Sequence, residues 1–345
     1  MKHCNVIGID LAKNIFQVCI INKEGKILFN KTMKREPLKN WLANQTQALV
    51  AMESCGSSNY WGRFAKSLGH QVMLIPPRQV KPYRNGQKTD ANDAVAIAVA
   101  SQAANIQPSR LLNIEQQNLQ TTERMRDMVN KQKLQISNQL RGLLLEYGIV
   151  INKTEREFRA RIPAILEDAD NDLSAVVREN LYCLWQLYLR LDEDYNGLDR
   201  SLRKLAEQDD ECQRLMKLES VGPISAVRLK VQLGHGEHFK SGRQASACVG
   251  ATPKQHSSGG KVKLGAVGKA SCDRPLRSCL FLGARAVVSK LKKREPKNAK
   301  EAWLKALIER RGVNCSAMAL VNKTIRTAYA MLKTGSEYRT PESIV

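Results

Sequence analysis

Four carboxylates stand where chain elements end or begin. Asp10 closes Val6-Ile7-Gly8-Ile9-Asp10, Glu53 closes Ala48-Leu49-Val50-Ala51-Met52-Glu53, and Asp90 and Asp93 open the run Asp90-Ala91-Asn92-Asp93-Ala94. Two follow strand-like apolar runs and two open a helix-like run, so folding can gather them into one pocket. Asp90 and Asp93 are three apart and share a helix face. Carboxylates are the hard oxygen ligands that Mg²⁺ prefers, and phosphodiester cleavage is served by two such ions about 4 Å apart that stabilise the attacking and leaving oxygens. Taken singly, each acid reads more simply as a strand end or a helix cap. Four of them at the positions of one fold favour a site for two Mg²⁺ ions, with Asp10, Glu53, Asp90 and Asp93 as ligands.

A second candidate is Thr252-Pro253-Lys254-Gln255-His256-Ser257-Ser258-Gly259-Gly260-Lys261-Val262-Lys263-Leu264-Gly265. Two serines abut two glycines among three lysines, a flexible loop that can approach a phosphate closely. The residues alone leave two readings open, a basic loop that only touches nucleic acid and a loop that supplies a serine nucleophile. A nucleophilic serine needs activation, and no Ser-His-Asp pattern is legible.

Between these candidates the chain changes character twice. Residues 4–104 alternate strand and helix signals: short apolar runs at Cys4–Asp10, Phe16–Asn22 and Lys26–Met33, a helix near Pro37–Asn44, a strand at Ala48–Met52, a helix around Asn59–Leu68, a strand at Gln71–Ile75, a Pro76-Pro77 break, and a helix from Asp90 to Ala104. The order β-β-β-α-β-α-β-α is the ribonuclease H arrangement. In it, acids lie on the first strand, at the end of the fourth and on the closing helix.

Residues 109–207 are long, polar and glycine-poor. Val177, Leu181, Leu184, Tyr188, Leu191, Tyr195, Leu198, Leu202 and Leu205 alternate spacings of three and four, a heptad seam. A weaker one runs from Val129 to Tyr147, with a break at Gly148–Pro163, so two antiparallel coiled-coil helices are expected. From Leu218 the chain turns compact and mainly helical, and Leu218–Ala226 resembles a helix-hairpin-helix, whose turn amides can hold a phosphate. The expected organisation is an α/β domain over 1–106, a helical arm over 107–208 and a C-terminal domain over 209–345.

The formal net charge of +22 and a pI near 9.7 set aside most small-metabolite enzymes and favour a nucleic-acid partner. Lys13, Lys88, Lys254, Lys261, Lys263 and Arg285 are the candidate contacts, and a further basic stretch runs from Arg285 to Arg311. No apolar run approaches the roughly 20 residues of a spanning helix. Nine cysteines, an odd number without a Cys-x-x-Cys pair, read as reduced cytoplasmic thiols.

Gly8-Ile9-Asp10-Leu11-Ala12-Lys13, Met52-Glu53-Ser54-Cys55-Gly56 and Lys88–Ala94, with Leu218–Pro223, Phe239–Gln244, Thr252–Gly265, Gly283–Ala286 and Ala317–Gly335, resemble the DEDD-type insertion-sequence transposases related to the Piv invertase. The resemblance spans both ends of the chain. It implies a RuvC-like domain that supplies Asp10, Glu53, Asp90 and Asp93, and a C-terminal domain whose serine, by position Ser258 with Ser257 as its rival, attacks double-stranded DNA and leaves a phosphoserine link. It also implies a structured guide RNA that pairs with donor and target DNA, and a homo-oligomer, dimeric or tetrameric in synapsis, in a prokaryotic cytoplasm at the nucleoid. The chain departs from the family over Gly268–Arg277, which is one residue longer and carries Pro275. Two other functions use the same residues differently: a Holliday-junction nuclease that cuts with metal-activated water, and a non-catalytic nucleic-acid-binding protein whose acids are structural.

Overall fold

The structure is a computed structural model that describes residues 5–268 and 273–339. The chain divides into two compact units, Met1–Gln117 and Asn118–Val345.

In the first unit β1 (Val6–Asp10), β2 (Ile15–Ile21) and β3 (Ile27–Lys34) form a meander. Then follow α1 (Arg35–Ala43), β4 (Leu49–Glu53), α2 (Ser58–Ser67), β5 (Gln71–Ile75), the short α3 (Pro77–Val80) and α4 (Asp90–Gln102). The sheet order is β3-β2-β1-β4-β5, with β1 antiparallel to β2 and parallel to β4, and β4 parallel to β5. The element order is the one expected from the sequence, with α3 added after the Pro76-Pro77 break.

Side-chain alternation builds two cores from this one sheet. Ile7, Ile9, Phe16, Val18, Val50 and Met52 face one way and pack on Leu38, Leu42 and Trp61 of α1 and α2. Val6, Cys19, Ile21, Ala51 and Ile75 face the other way, against Ala94, Ile97, Ala98 and Ala100 of α4. Burial on both faces explains why β1 and β4 read as continuous apolar runs. The small residues of α4 also let it approach the sheet closely: a Cβ built on Gly8 would stand 2.5 Å from the Ala94 carbonyl oxygen and 2.7 Å from the Ala98 methyl.

The second unit takes up all but the first turn of α5 (Ile114–Leu145), followed by α6 (Glu155–Glu167) and α7 (Ala175–Gln208). Arg126 binds Asp199 at 2.6 Å and the Tyr195 hydroxyl at 2.6 Å, and Lys133 binds Asp192 at 3.0 Å, so α5 and α7 run antiparallel. Gly148–Pro163, expected as a break, is largely α6. Thr154 caps it by accepting from the Glu157 amide. Phe158, Ile162 and Ile165 pack with Leu140, Leu144, Leu181, Trp185 and Tyr188. Burying three large apolar side chains, at about 1.5–3 kcal/mol each, outweighs the roughly 3 kcal/mol that Pro163 costs inside a helix. Of the expected seam Leu181, Tyr188 and Leu202 are buried, while Leu205 is 41 % exposed and Trp185, Asp192 and Ala206 are buried beside it.

The remaining elements are α8 (Asp210–Met216), α9 (Pro223–Leu233), α10 (Gly242–Val249), the ribbon β6 (Pro253–Ser258) and β7 (Lys261–Val267), α11 (Arg274–Leu291) and α12 (Ala299–Thr334). Helix α9 is the buried spine of this core, with Ile224 to Val231 all inside. Its two charges are paired: Arg228 with Glu123 at 3.0 Å and Asp127 at 2.6 Å, Lys230 with Asp209 and Glu211. In the turn between α8 and α9, Leu218, Ser220 and Val221 are buried, and Gly283 of α11 lies against the Ser220 carbonyl. Residues Lys269–Cys272 of the altered stretch fall outside the described residues. Just after them Asp273 caps α11 by accepting from the Leu276 amide at 2.9 Å, and Pro275 sits in the first turn, where its missing N–H costs nothing. Helix α12 breaks at Gly312, whose φ is 76°. Among the described residues no helix is long and apolar enough to cross a membrane.

Candidate active site

Two groups of polar residues draw together chemistry that the chain keeps far apart, one in each unit. In the first unit, parallel pairing of Ile9 with Met52 brings Asp10 and Glu53 off the sheet side by side, at the carboxyl ends of β1 and β4. Alternation turns both toward the α4 face, in line with Gly8 and Ala51. Thr89 caps α4 by accepting from the Asn92 amide, which sets Asp90 and Asp93 in its first turn. Two amides fasten that turn to the sheet. Gln17, opposite Asp10 on β2, donates to Asn30 Oδ1 at 2.6 Å, and Asn30 Nδ2 donates to the Ala91 carbonyl at 3.2 Å.

The electrostatics record the crowding. Burial, reinforced by the charges of Asp93, Asp90 and Glu53, raises Asp10 to about 6, with Lys88 opposing. Burial and Asp93 raise Glu53 as well, against Lys88 and Arg84. Arg84 Nη1 stands 3.3 Å from Asp93 Oδ1. The nearby Cys55 thiol is also raised, by burial and then by Glu53 and Asp10, so it stays a thiol rather than a nucleophilic thiolate. The donors suit a hard divalent cation in kind, and their mutual repulsion is what such a cation would relieve. They are not drawn in to ligand distance: among the described residues no three His, Cys, Asp or Glu side chains form an ion-holding group.

Gly8 sets the distance between α4 and the sheet. Gly8→Ala should lower stability by about 1–3 kcal/mol through overpacking and push Asp90 and Asp93 away from Asp10. The check is thermal unfolding beside the catalytic activity of the purified chain, with activity falling further than the loss of folded protein explains.

In the second unit the Ser/Gly stretch, expected as a flexible loop, is a β-hairpin. Ser258 pairs with Lys261, and Gly259 and Gly260, with φ of 54° and 77°, make the two-residue turn. Positive φ at both turn positions is the type I′ geometry that glycine pairs favour. Every residue of both strands is exposed. The register sorts the side chains. Ser257 pairs with Val262 and Gln255 with Leu264 on one face, while Ser258 with Lys261 and His256 with Lys263 share the other, together with Lys254. Ser258 therefore sits at the tip of a basic face, and Ser257 on the apolar one.

The remaining candidates are surface cations: Lys13 is exposed in the loop after Asp10, and Arg285 on α11. Lys88 instead stands within electrostatic reach of the acids. Sequence reasoning missed Arg84, Gln17, Asn30 and His256. Only the last had a local signal, since Gly-Gly between short polar runs marks a hairpin and hence a register.

A family model described as a transposase, of the DEDD type named for IS110, matches residues 7–149, and one described as transposase IS116/IS110/IS902 family matches residues 212–300. The transposase for insertion sequence element IS1111A of Coxiella burnetii is 35% identical over 98% of this chain and 92% of its own length. A probable family 20 transposase of Pseudomonas aeruginosa is 35% identical over 96% and 98%. The pilin gene-inverting protein of Moraxella bovis is 22% identical over 81% of each. Among solved structures, Thermus thermophilus RuvC superposes with a TM-score of 0.25 and 17% identity, covering 30% of this chain and 99% of its own. Identity at this level over nearly the whole length shows that the chain belongs to the IS116/IS110/IS902 family of insertion-sequence transposases.

Proposed function

We propose that this transposase cleaves and rejoins duplex DNA through Ser258, assisted by divalent cations held by Asp10, Glu53, Asp90 and Asp93. The observation that carries the serine assignment is the hairpin register, which gives Ser258, and not Ser257, the face shared with Lys254, His256, Lys261 and Lys263. Those lysines suit the phosphate on either side of the bond under attack. Ser258 Oγ bonds to phosphorus, the bond from phosphorus to one strand's oxygen breaks, and the hydroxyl proton passes by way of solvent or His256 to that departing oxygen, which leaves as a strand hydroxyl. Reversal with a new strand end restores the serine and joins the DNA.

Mg²⁺ bound at the four acids would polarise the phosphoryl oxygens and stabilise the leaving oxygen. The chain's own part is to hold the acids together, through the parallel pairing of β1 with β4 and through the Gln17–Asn30–Ala91 link to α4. The segments 1–106, 107–208 and 209–345 serve as metal domain, oligomerising arm and serine domain. Sequence choice rests on an element-derived RNA that pairs with donor and target DNA, while the basic surfaces hold backbone. Purified protein with Mg²⁺, a DNA element end, a target duplex and RNA transcribed from the flanking noncoding DNA should yield strand-exchanged product. Equal product without the RNA would remove the guide, and none with every component present would remove the recombinase reading.

A further inference from the structure

Apart from the hairpin's exposed faces, the second unit contains a cleft of about 1410 Å³. It begins at the hairpin's foot, where the paired Pro253 and Val267 form part of its wall. The break at Gly312 divides α12 into two helical halves, and both line the cleft: Trp303 from the first, Lys323 and Arg326 from the second. Arg243 in the first turn of α10 and Phe281 of α11 complete the part that matters here. The lining holds these three cations and no carboxylate among the described residues. Trp303 is 40% exposed, and Lys323 Nζ stands 4.8 Å from its ring centroid, so a flat π surface and an ammonium lie together. The three cations are exposed.

We propose that this cleft holds unpaired nucleotides of a DNA strand, with a base stacked on Trp303 and the flanking phosphates on Arg243, Lys323 and Arg326. Aromatic surface beside cations that track a backbone is the chemistry of single-strand sites, because every base has a π face and every nucleotide a charge. The cleft exceeds the space a single small ligand fills, which fits a short run of nucleotides. A carboxylate-free wall suits a polyanion and repels nothing along it. The cleft begins at the foot of the hairpin, at the end opposite the Gly259-Gly260 turn, so a strand that crosses the hairpin can run on into it. DNA is chosen over RNA because the family acts on DNA, and the site depends on that alone and not on Ser258 as nucleophile.

The test is photo-cross-linking of the full chain to oligonucleotides that carry 5-iodouracil, followed by mapping of the linked peptide. A single-stranded DNA 12-mer should link to Trp303 at least fivefold more than the same sequence in duplex. Trp303→Phe should keep single-strand affinity within about twofold, Trp303→Leu should lower it about tenfold or more, and Arg243→Gln with Arg326→Gln should weaken it and flatten its salt dependence. Ser258→Ala should leave the cross-link intact, so a failed nucleophile assignment would not disturb it. Cross-links that avoid Trp303, or equal yields from duplex, overturn the proposal. Stronger cross-linking at Trp303 of a single-stranded RNA 12-mer of the same sequence, also carrying 5-iodouracil, overturns it in favour of an RNA site. Because Arg243 is exposed on a different helix, its variant tests the cleft even if changes at Trp303 disturb folding.

Discussion

Ser258→Ala should abolish strand exchange, by roughly 10³–10⁶-fold as for other removed nucleophiles, while duplex binding stays within a few-fold of the parent. Among the described residues the hydroxyl bonds to no other part of the fold. Ser258 is exposed at the end of β6, beside a turn whose geometry comes from Gly259 and Gly260. Ser257→Ala supplies the contrast. It alters the face that carries Val262 and Leu264, and should keep most of the activity. If the two variants exchange roles, the hairpin register is wrong by one residue, because a slip of one turns every side chain to the opposite face. The measurement is strand exchange on a labelled element end, with binding followed separately.

Asp10→Asn should remove activity as completely and, without metal, make the protein more stable. Burial and the neighbouring Asp93, Asp90 and Glu53 raise the Asp10 carboxyl to about 6 in the folded chain, against 3.8 as its ordinary value. A carboxyl raised on folding contributes stability that is fully present below pH 3.8 and is lost as pH climbs through about 6. At pH 7 the ionised group is therefore a burden that asparagine removes. Solvent screening leaves about 1–2 kcal/mol of the effect. Metal-free Asp10→Asn should melt higher than the parent at pH 7.5, and the gap should close toward pH 4. Mg²⁺ or Mn²⁺ should raise the parent's melting temperature and leave the variant's unchanged. A variant less stable at pH 7.5, or one that metal still stabilises fully, would show that Asp10 is structural. This stability test also stands apart from activity, which the altered Gly268–Arg277 stretch can affect by itself.

The acids were legible because strong local patterns surround them. Asp10 and Glu53 end apolar runs, and Asp90 and Asp93 open an alanine-rich helix after a threonine cap, so their elements follow from neighbours in sequence. Their partners follow from no such pattern. Asn30 reaches the Ala91 carbonyl across 61 positions, and Arg84 sits in an irregular segment. The hairpin was hard to read because both its faces are exposed, so hydrophobic alternation is weak, and the Gly-Gly turn was its one clear mark. In α6 the proline argued for a break, but Phe158, Ile162 and Ile165 had a core to enter, supplied by α5 and α7. The seam on α7 rests on the spacing of aliphatic and tyrosine side chains and so passes over Asp192, which is buried because Lys133 and Arg159 pair with it. Tertiary partners decided Asn30, Arg84, α6 and Asp192, whereas the hairpin follows from its own turn.

The central claim is that four acids and one serine form the two parts of one DNA-joining chemistry. Its most direct test is to incubate the protein with Mg²⁺ and labelled DNA containing the element end, quench in denaturant, and map any protein that stays attached to DNA. The account predicts a nucleotide esterified to Ser258 Oγ, absent from both Ser258→Ala and Asp10→Asn. DNA that is cut by the parent protein but carries no attached protein would mean water is the nucleophile, and would contradict it.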